Sequence, residues 1–289
     1  MVIHFVRIAG IIILVVLCIF YPYFPGEYDG LALALSTTAQ LFGAAGLLLL
    51  PIAVLWLVYE VRKRARRKRN LPNTGRGYYF ATASLIAASI LTILISLVLF
   101  LAIGISFGLL TLALWFYAVS RLIPGLKLLK KAESEKINPA PYSLIFIPIA
   151  VLLFQIAFSA PATEFSRNHA IANSAELINE IERHHVEHGR YPNSLLAVNK
   201  DYKPSIVGIE KFYYAPSGEA YNLFFEQPRL LFDNFGTREF VVYNKLDEHV
   251  IPSHAYWILI RTPEELAATQ GWYAVHDTSS PHWKYFWFD

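Results

Sequence analysis

The sequence predicts an α-helical membrane bundle of five transmembrane helices, followed by an α+β soluble domain in which a long N-terminal helix packs on an antiparallel sheet. Two observations predict this fold class: residues 1–160 carry almost no charge outside two basic loops, and residues 161–289 contain no long apolar run. The charge also changes sign, because residues 161–289 carry 11 Lys and Arg against 17 Asp and Glu, whereas residues 1–160 carry 14 against 5. We therefore divide the chain into a transmembrane domain, 1–160, and a soluble domain, 161–289.

The longest charge-free segment, Tyr78–Ser120, has 43 residues. As one helix it would extend ~65 Å, about twice the thickness of the hydrocarbon core. It must therefore fold back, and Gly104-Ile105-Ser106-Phe107-Gly108 marks the turn, although the same glycines also match the G-x-x-x-G helix-packing pattern. Leu41–Tyr59 and Ile137–Thr163 are further charge-free runs. The predicted spans are residues about 5–24, 38–60, 78–101, 105–123 and 142–160.

The first span is the weakest, because Ile8–Phe20 supplies only 13 apolar residues. Tyr21-Pro22-Tyr23-Phe24 extends it as a predicted interfacial belt. A cleaved signal peptide is the alternative, since Ala32-Leu33-Ala34 offers a small-residue cleavage site. That site lies well beyond the apolar run, so we expect the first helix to remain uncleaved.

Basic residues in the loops predict the orientation. Basic residues at Arg62–Arg69 and Arg76 lie between spans two and three, and five more lie between spans four and five. The loop after span one contains two acidic residues, Glu27 and Asp29, and no basic residue. The positive-inside rule places both basic loops in the cytoplasm of a bacterial-type cell. We therefore expect a multi-pass inner-membrane protein with a cytoplasmic N-terminus and a periplasmic C-terminal domain.

The tract Arg62–Arg69 has two interpretations. It could be a nucleic-acid patch, but it lies at the end of a membrane helix, where basic side chains attract anionic lipid head groups. We expect the lipid bilayer and its anionic head groups as partners and no nucleic acid, because the soluble domain is acidic. Spans two to five also lack ionisable residues in their interiors, which argues against active transport.

The soluble domain begins with a predicted helix from about Thr163 to His188, with Gly189 as the left-handed residue that ends it. Ile171, Ala175, Ile178 and Ile181 form its apolar stripe. Pro216-Ser217-Gly218-Glu219 predicts a hairpin turn, and Thr262-Pro263-Glu264-Glu265 predicts the start of a short helix. The predicted strands are Lys211–Ala215, Ala220–Glu226, Glu239–Tyr243, Tyr256–Ile260, Gly271–His276 and His282–Phe288. Alternation in the last strand places Trp283, Tyr285 and Trp287 on one face and Phe286 and Phe288 on the other; one face is core, and the other is covered by the same domain, the bilayer, a partner protein or a glycan.

Residues Ile181–Leu195, with the sequence Ile-Glu-Arg-His-His-Val-Glu-His-Gly-Arg-Tyr-Pro-Asn-Ser-Leu, resemble the helix-to-loop junction of type II secretion major pseudopilins and type IV pilin-like proteins. The matching residues of the family's G-x-Y-P-x-S-L stretch are Gly189, Tyr191, Pro192, Ser194 and Leu195. Phe212-Tyr213-Tyr214 and Tyr221-Asn222-Leu223 resemble the family's first two strands, so the resemblance covers residues of about 163–226. It implies a pilin-like domain in which Gly189, Tyr191, Pro192 and Leu195 are structural.

The chain also departs from that family. His184 stands where a tyrosine is usual, and no prepilin peptidase motif precedes span five, so we expect no cleavage there. Four spans precede the one that a pilin would have. These departures favour a polytopic protein that bears a pilin-like domain over a subunit that polymerises into a fibre.

His184-His185-Val186-Glu187-His188 matches the H-x-x-E-H motif of inverted zincins. In that chemistry His184 and His188 bind zinc and Glu187 is the general base on a zinc-bound water. The competing interpretation is that packed or solvated histidines end an amphipathic helix. No catalytic residue or cofactor is assigned, since no G-x-S-x-G, Walker A or G-x-G-x-x-G pattern occurs.

The expected function is a non-enzymatic inner-membrane binding or assembly component of an envelope or secretion system, with an envelope protein as partner. The alternatives are a membrane-bound zinc hydrolase that uses His184, Glu187 and His188, and an immunity-type envelope protein that blocks a periplasmic toxin.

Overall fold

The structure, a computed structural model, describes residues 2–69, 76–131, 138–198, 201–217, 219–233, 237–252, 258–260 and 273–288. The chain forms two compact units. The first comprises Met1–Cys18 and Thr37–Ile156, and the second comprises Ile19–Ser36 and Ala157–Asp289. The segment after the first helix, which the sequence places in the transmembrane domain as a loop, therefore belongs to the same unit as the sheet.

The chain begins with a series of long helices. Among the described residues, four helices are long and apolar enough to cross a membrane, and a fifth span is present if one bent pair counts as a single span. Four of the five predicted spans are thus observed as long apolar helices, and the other corresponds to the bent pair. The helices are α1 (Val2–Phe20), α2 (Ala32–Leu48), α3 (Leu50–Lys68), α4 (Gly77–Ala102), α5 (Ile105–Lys131), α6 (Ala140–Asn173) and α7 (Ala175–His188).

The predicted second span, 38–60, is wrong as a single helix. Helices α2 and α3 meet at Leu49 with a bend of 52°. The cause is Pro51 in the first turn of α3, because proline has no N–H to donate and its ring clashes with the carbonyl four residues earlier.

Gly104 and Gly108 serve different purposes in the α4–α5 hairpin. Gly104 has φ +137° between the two helices, a conformation that L-residues rarely adopt. A Cβ on Gly108 would lie 2.8 Å from the Ser96 carbonyl oxygen and 2.8 Å from the Phe100 Cβ. The turn prediction and the helix-packing alternative therefore both describe part of this segment.

The helix predicted from about Thr163 and the last predicted span, 142–160, are one helix. Helix α6 passes through Pro148 and Pro161 without ending, and only Ser174 separates it from α7. Gly189 ends α7 with φ +68°, and its N–H donates to the His185 carbonyl oxygen at 2.9 Å. A left-handed glycine ends the helix as the sequence predicts.

The sheet is antiparallel and has the strand order β1-β2-β3-β7-β6. A separate two-stranded sheet pairs β4 with β5, and β4 was not predicted. Ser217 pairs with Ala220, so the predicted turn at Pro216–Glu219 is shorter than expected. The predicted helix start at Thr262–Glu265 lies outside the described residues. The strands are β1 (Tyr213–Ser217), β2 (Ala220–Gln227), β3 (Arg238–Tyr243), β4 (Val250–Pro252), β5 (Ile258–Ile260), β6 (Tyr273–Asp277) and β7 (Trp283–Phe288).

Each face of the five-stranded sheet carries its own apolar cluster. On one face, Leu177 and Ile181 of α7 pack with Leu223, Val241 and Trp283 in the main core. On the other face, Phe240, Val242 and Phe286 form a smaller cluster. The alternation predicted for β7 is therefore observed at Trp283, Tyr285 and Phe286, because successive residues of a strand point to opposite faces.

Residues after α1 pack within the unit that contains the sheet, so two members of the predicted interfacial belt Tyr21-Pro22-Tyr23-Phe24 are buried, whereas Phe24 is exposed. Pro22 and Tyr23 are buried in a short 3₁₀ helix, Tyr21–Tyr23. Backbone hydrogen bonds join this segment to Ser205–Gly208: Val207 N–H to Phe24 O at 2.9 Å, Gly208 N–H to Pro22 O at 2.8 Å, and Gly26 N–H to Ser205 O at 3.0 Å. Hydrophobicity alone could not separate a belt from this contact, because buried and interfacial aromatic residues look alike in sequence.

Candidate functional site

Buried charge concentrates at one end of the sheet, where α6 crosses β2, β3 and β7. We call this group the arginine–glutamate cluster and define it by Arg167, Gln227, Arg229, Glu239 and Trp287. Arg167 lies one turn before Ala170 and Ile171 on the buried stripe of α6. Glu239 pairs with Trp287 across β3 and β7. Helix periodicity and strand alternation thus bring a guanidinium and a carboxylate to the same interface.

Arg167 and Glu239 form a buried ion pair. Arg167 donates to Glu239 Oε1 from Nε at 3.1 Å and from Nη2 at 2.6 Å. The two side chains are 10% and 1% exposed. The Trp287 indole N–H donates to the other carboxylate oxygen at 2.8 Å, and the Arg167 guanidinium lies 3.8 Å from the Tyr285 ring centroid. Hydrogen bonds to both oxygens offset the cost of removing the Glu239 charge from water.

Arg229 and Gln227 complete the cluster. The Arg229 guanidinium lies 4.5 Å from the Trp287 ring centroid and donates to Thr237 Oγ1 at 3.2 Å. Its Nε is 4.0 Å from Glu239 Oε2. Gln227 donates to Ser166 Oγ at 2.5 Å. The guanidinium groups of Arg167 and Arg229 therefore share the Glu239 carboxylate. The Gln227 amide is a further link between the sheet and α6.

Two further ionisable groups adjoin this cluster. Tyr23 is buried, and its hydroxyl faces Thr163. Burial raises the pKa of Asp233, although Arg229 and a hydrogen bond from Ser159 act in the opposite direction. The Tyr23 position shows that the segment after α1 reaches the same end of the sheet.

A second polar group lies farther along the helix, on α7. We call it the tyrosine–glutamate cluster and define it by Glu182, Tyr191, Tyr221, Tyr243 and Lys245. Lys245 donates to Glu182 at 2.7 Å, and these side chains are 49% and 26% exposed. This hydrogen bond raises the pKa of Lys245. Burial raises the pKa of Tyr221 and of Tyr243, so their phenols stay neutral around the carboxylate.

The residues that follow α7, Gly189 to Leu195, meet at this second cluster. Tyr191 stacks on His185 with ring centroids 4.1 Å apart and lies 5.1 Å from the Tyr221 ring. The Pro192 carbonyl oxygen accepts a hydrogen bond from the Tyr214 hydroxyl at 2.9 Å. Leu195 packs against the main core. The chain after Gly189 is thereby held against both α7 and the sheet.

The histidines of the H-x-x-E-H motif lie on the exposed side of α7. The rings of His184 and His188 stack with centroids 4.2 Å apart. Nδ1 of His184 is 3.2 Å from the Arg190 carbonyl oxygen, and Nδ1 of His188 is 3.0 Å from the His184 carbonyl oxygen. Glu187 lies 3.8 Å from Arg183. Within the described ranges, no group of three or more His, Cys, Asp or Glu side chains is placed to hold a metal ion.

Sequence analysis missed the arginine–glutamate cluster, although a signal was present. Arg167 falls at helical spacing with Ala170 and Ile171, which lie on the buried side of α6. A charged residue on an apolar stripe requires a partner when buried. Glu239 likewise alternates with Val241 and Tyr243, which are core residues. Each charge therefore predicts a buried partner, but neither identifies which residue it is.

Comparisons of the chain with known protein families, with characterised proteins and with solved structures find no match. Both clusters hold their charges in pairs that link α6 or α7 to the strands or to Lys245 after β3, an arrangement that orients these elements.

Proposed function

We propose that this chain is a non-enzymatic inner-membrane binding or assembly component of a bacterial envelope or secretion system, with a pilin-like α+β domain in the periplasm. One observation carries the proposal: the helical course from Ala140 to His188 begins as an apolar, span-length helix and ends as the helix on which the sheet packs. A membrane helix that continues as the stalk of an antiparallel sheet domain is the arrangement that the resemblance to pseudopilins implies.

The surface near the junction supports a binding role. Val186 on α7 is 82% exposed and Leu196 is 88% exposed, and both lie within seven residues of Gly189 in the sequence. Large apolar side chains that remain in water next to a well-anchored loop are typical of a protein-binding surface. The acidic charge of residues 161–289 favours an envelope partner over nucleic acid or an anionic surface.

Topology is the first test of this proposal. A reporter that is active only outside the cytoplasm should work when fused after Asp289 and fail when fused near Arg69, because the basic loops remain cytoplasmic. The opposite pattern would refute the periplasmic assignment. Immunoblotting should also show the full-length chain, whereas a shorter product that begins near Tyr142 would show prepilin-like processing.

Site-specific photo-cross-linking in living cells is the second test. A photoreactive residue at Val186 or Leu196 should form one discrete cross-linked product with an envelope protein. Leu246, which is also exposed, is the matched control on a different loop. Equal products from all three positions, or none, would contradict a partner surface at the junction. A periplasmic toxin as the captured partner would favour the immunity-type alternative.

A zinc hydrolase is the second candidate function, favoured by the stacked His184 and His188 one helical turn apart. It would require a third ligand and a substrate site. Purified protein with one zinc per chain, lost in His184→Gln, would support it. Absence of bound zinc after purification in zinc-containing buffer would refute it.

A further inference from the structure

The chain at the end of β2 lies beside the part of α6 where the charge-free run ends. The amide of Gln227, the last residue of β2, donates to the Thr163 carbonyl oxygen at 3.4 Å and to Ser166 Oγ at 2.5 Å. Thr163 is the last residue of the charge-free run Ile137–Thr163, and Glu164 is the first charged residue after it. The end of β2 is therefore level with the point at which the apolar helix gives way to polar residues.

Phe232 follows β2 by five residues and is 49% exposed. Its neighbours fix the backbone around it: Leu230 is buried, and the Asp233 N–H donates to the Leu230 carbonyl oxygen at 3.1 Å. Arg229 is held over Trp287, as described above. The ring is thus presented outward by an anchored turn, rather than exposed because the segment lacks contacts.

Other exposed aromatic rings lie at the same end of the helix. Phe158 and Phe165 of α6 flank Ser159–Thr163 and are 49% and 53% exposed. Together with Phe232 they place apolar rings on both the helix and the turn beside it. Aromatic residues concentrate where a membrane helix leaves the hydrocarbon core, because their rings suit the head-group boundary.

We propose that residues 230–233, which follow β2, form a membrane-contact site, at which Phe232 inserts into the head-group boundary of the periplasmic leaflet beside Phe158 and Phe165. The occupant is the lipid bilayer itself, because Gln227 joins the end of β2 to Thr163, at the level where the charge-free run of α6 ends. This inference rests on the proposed membrane location of the chain. It adds a contact of the sheet domain with the bilayer to the contacts of the spans.

Spin-label accessibility measures this directly. The sole cysteine, Cys18, is replaced by serine, and single cysteines at residues 232, 186 and 97 are labelled in full-length protein in phosphatidylethanolamine–phosphatidylglycerol vesicles. Leu97, an exposed residue of α4, is the lipid control. Val186 is the water control, because it lies 27 residues beyond Ser159, or ~40 Å along the helix. The label at 232 should be relaxed more by oxygen than by a water-soluble nickel chelate, as at 97 and opposite to 186.

The outcomes distinguish the membrane-contact site from the proposed membrane location of the chain. Lipid exposure at 97 with a water-exposed label at 232 would overturn the membrane-contact site and leave the membrane location standing. Water exposure at 97 would overturn both. A second measurement avoids substitution: the unaltered chain is irradiated in vesicles with a lipid that carries a photoreactive group near the head group. Cross-linked peptides should include residues 230–233, and their absence among recovered cross-links to Phe158 or Phe165 would count against the site.

Discussion

The arginine–glutamate cluster and the tyrosine–glutamate cluster attach the same helical course to the same sheet face, but they do so in different surroundings. Glu239 and Arg167 are almost fully buried, whereas Glu182 and Lys245 remain partly in water. Both clusters use a carboxylate between a helix and a strand or its adjoining loop. The comparison shows that similar hydrogen bonds must differ in energetic importance according to the solvent around them.

The physical reason is desolvation. A carboxylate that has lost its water depends on its protein partners, so removal of one partner leaves a buried charge uncompensated. A carboxylate that keeps part of its hydration can replace a lost partner by water. The buried cluster should therefore be essential to the fold and the half-exposed one should tolerate change.

The largest effect should follow from Arg167→Met, which keeps an unbranched stem and removes the charged guanidinium. Breaking a buried ion pair on one side costs about 3–5 kcal/mol, and Arg229 and Trp287 retain only part of the compensation for Glu239. The melting temperature should fall sharply. It is measured on full-length protein in detergent by near-ultraviolet circular dichroism, which follows the tryptophans. The double variant Arg167→Met with Glu239→Gln should recover part of the loss, because it removes the orphaned charge. A melting temperature close to wild type in the single variant would contradict the importance of burial.

Tyr191→Ala should cause the next largest loss of stability. The ring packs between His185 and Tyr221, and truncation of fully buried aromatic residues costs about 3–5 kcal/mol; Tyr191 is only partly buried, so the loss should lie at or below the lower limit. The same melting experiment measures it, with His188→Gln as the matched control on the exposed side of α7. A chelator should leave the melting temperature unchanged. A chelator-induced decrease that His184→Gln abolishes would instead show that metal contributes to folding.

Local patterns predicted much of this fold because their causes are local. Apolar runs predicted the long apolar helices, Gly189 predicted the end of α7, and alternation predicted the two faces of β7. The bend at Leu49 was missed because proline is tolerated inside some membrane helices and bends others. Helix α6, which passes through Pro161, shows the tolerant case.

Long-range pairing explains the rest of what was missed. Arg167 and Glu239 are 72 residues apart, and Val207 pairs with Phe24 across a still longer separation. No periodicity connects such partners, since periodicity records only which side of its own element a residue occupies. The sequence therefore indicated two charged residues at buried positions, Arg167 on an apolar stripe and Glu239 in a core strand. It did not indicate that the two form a pair.

Lys245→Gln tests the half-exposed tyrosine–glutamate cluster. Its partner Glu182 keeps contact with water, so loss of the ion pair should cost about 0–1 kcal/mol. The melting temperature should decrease slightly, and added salt should reduce the difference from wild type, because exposed pairs are screened. A loss as large as that of Arg167→Met would mean that the tyrosine rings around Glu182 exclude water more fully than its exposure indicates.

The smallest effect, and one distinguished by its sign, should come from Asp233→Asn. Burial raises the pKa of Asp233 despite Arg229 and Ser159, so the folded state binds a proton more readily than the unfolded state does. The contribution of such a group to stability is fully present below its ordinary pKa and is lost as the pH rises through the raised value.

Asparagine imitates the neutral form and keeps a carbonyl oxygen that can accept from Ser159. At pH 7 the variant should therefore melt at the same temperature as wild type or slightly above it. That advantage should disappear as the pH is lowered toward 4, where wild-type Asp233 itself becomes neutral. A variant that melts lower than wild type at pH 7, with the difference shrinking in acid, would show that the Arg229 charge dominates and that this end of the sheet needs both carboxylates ionised.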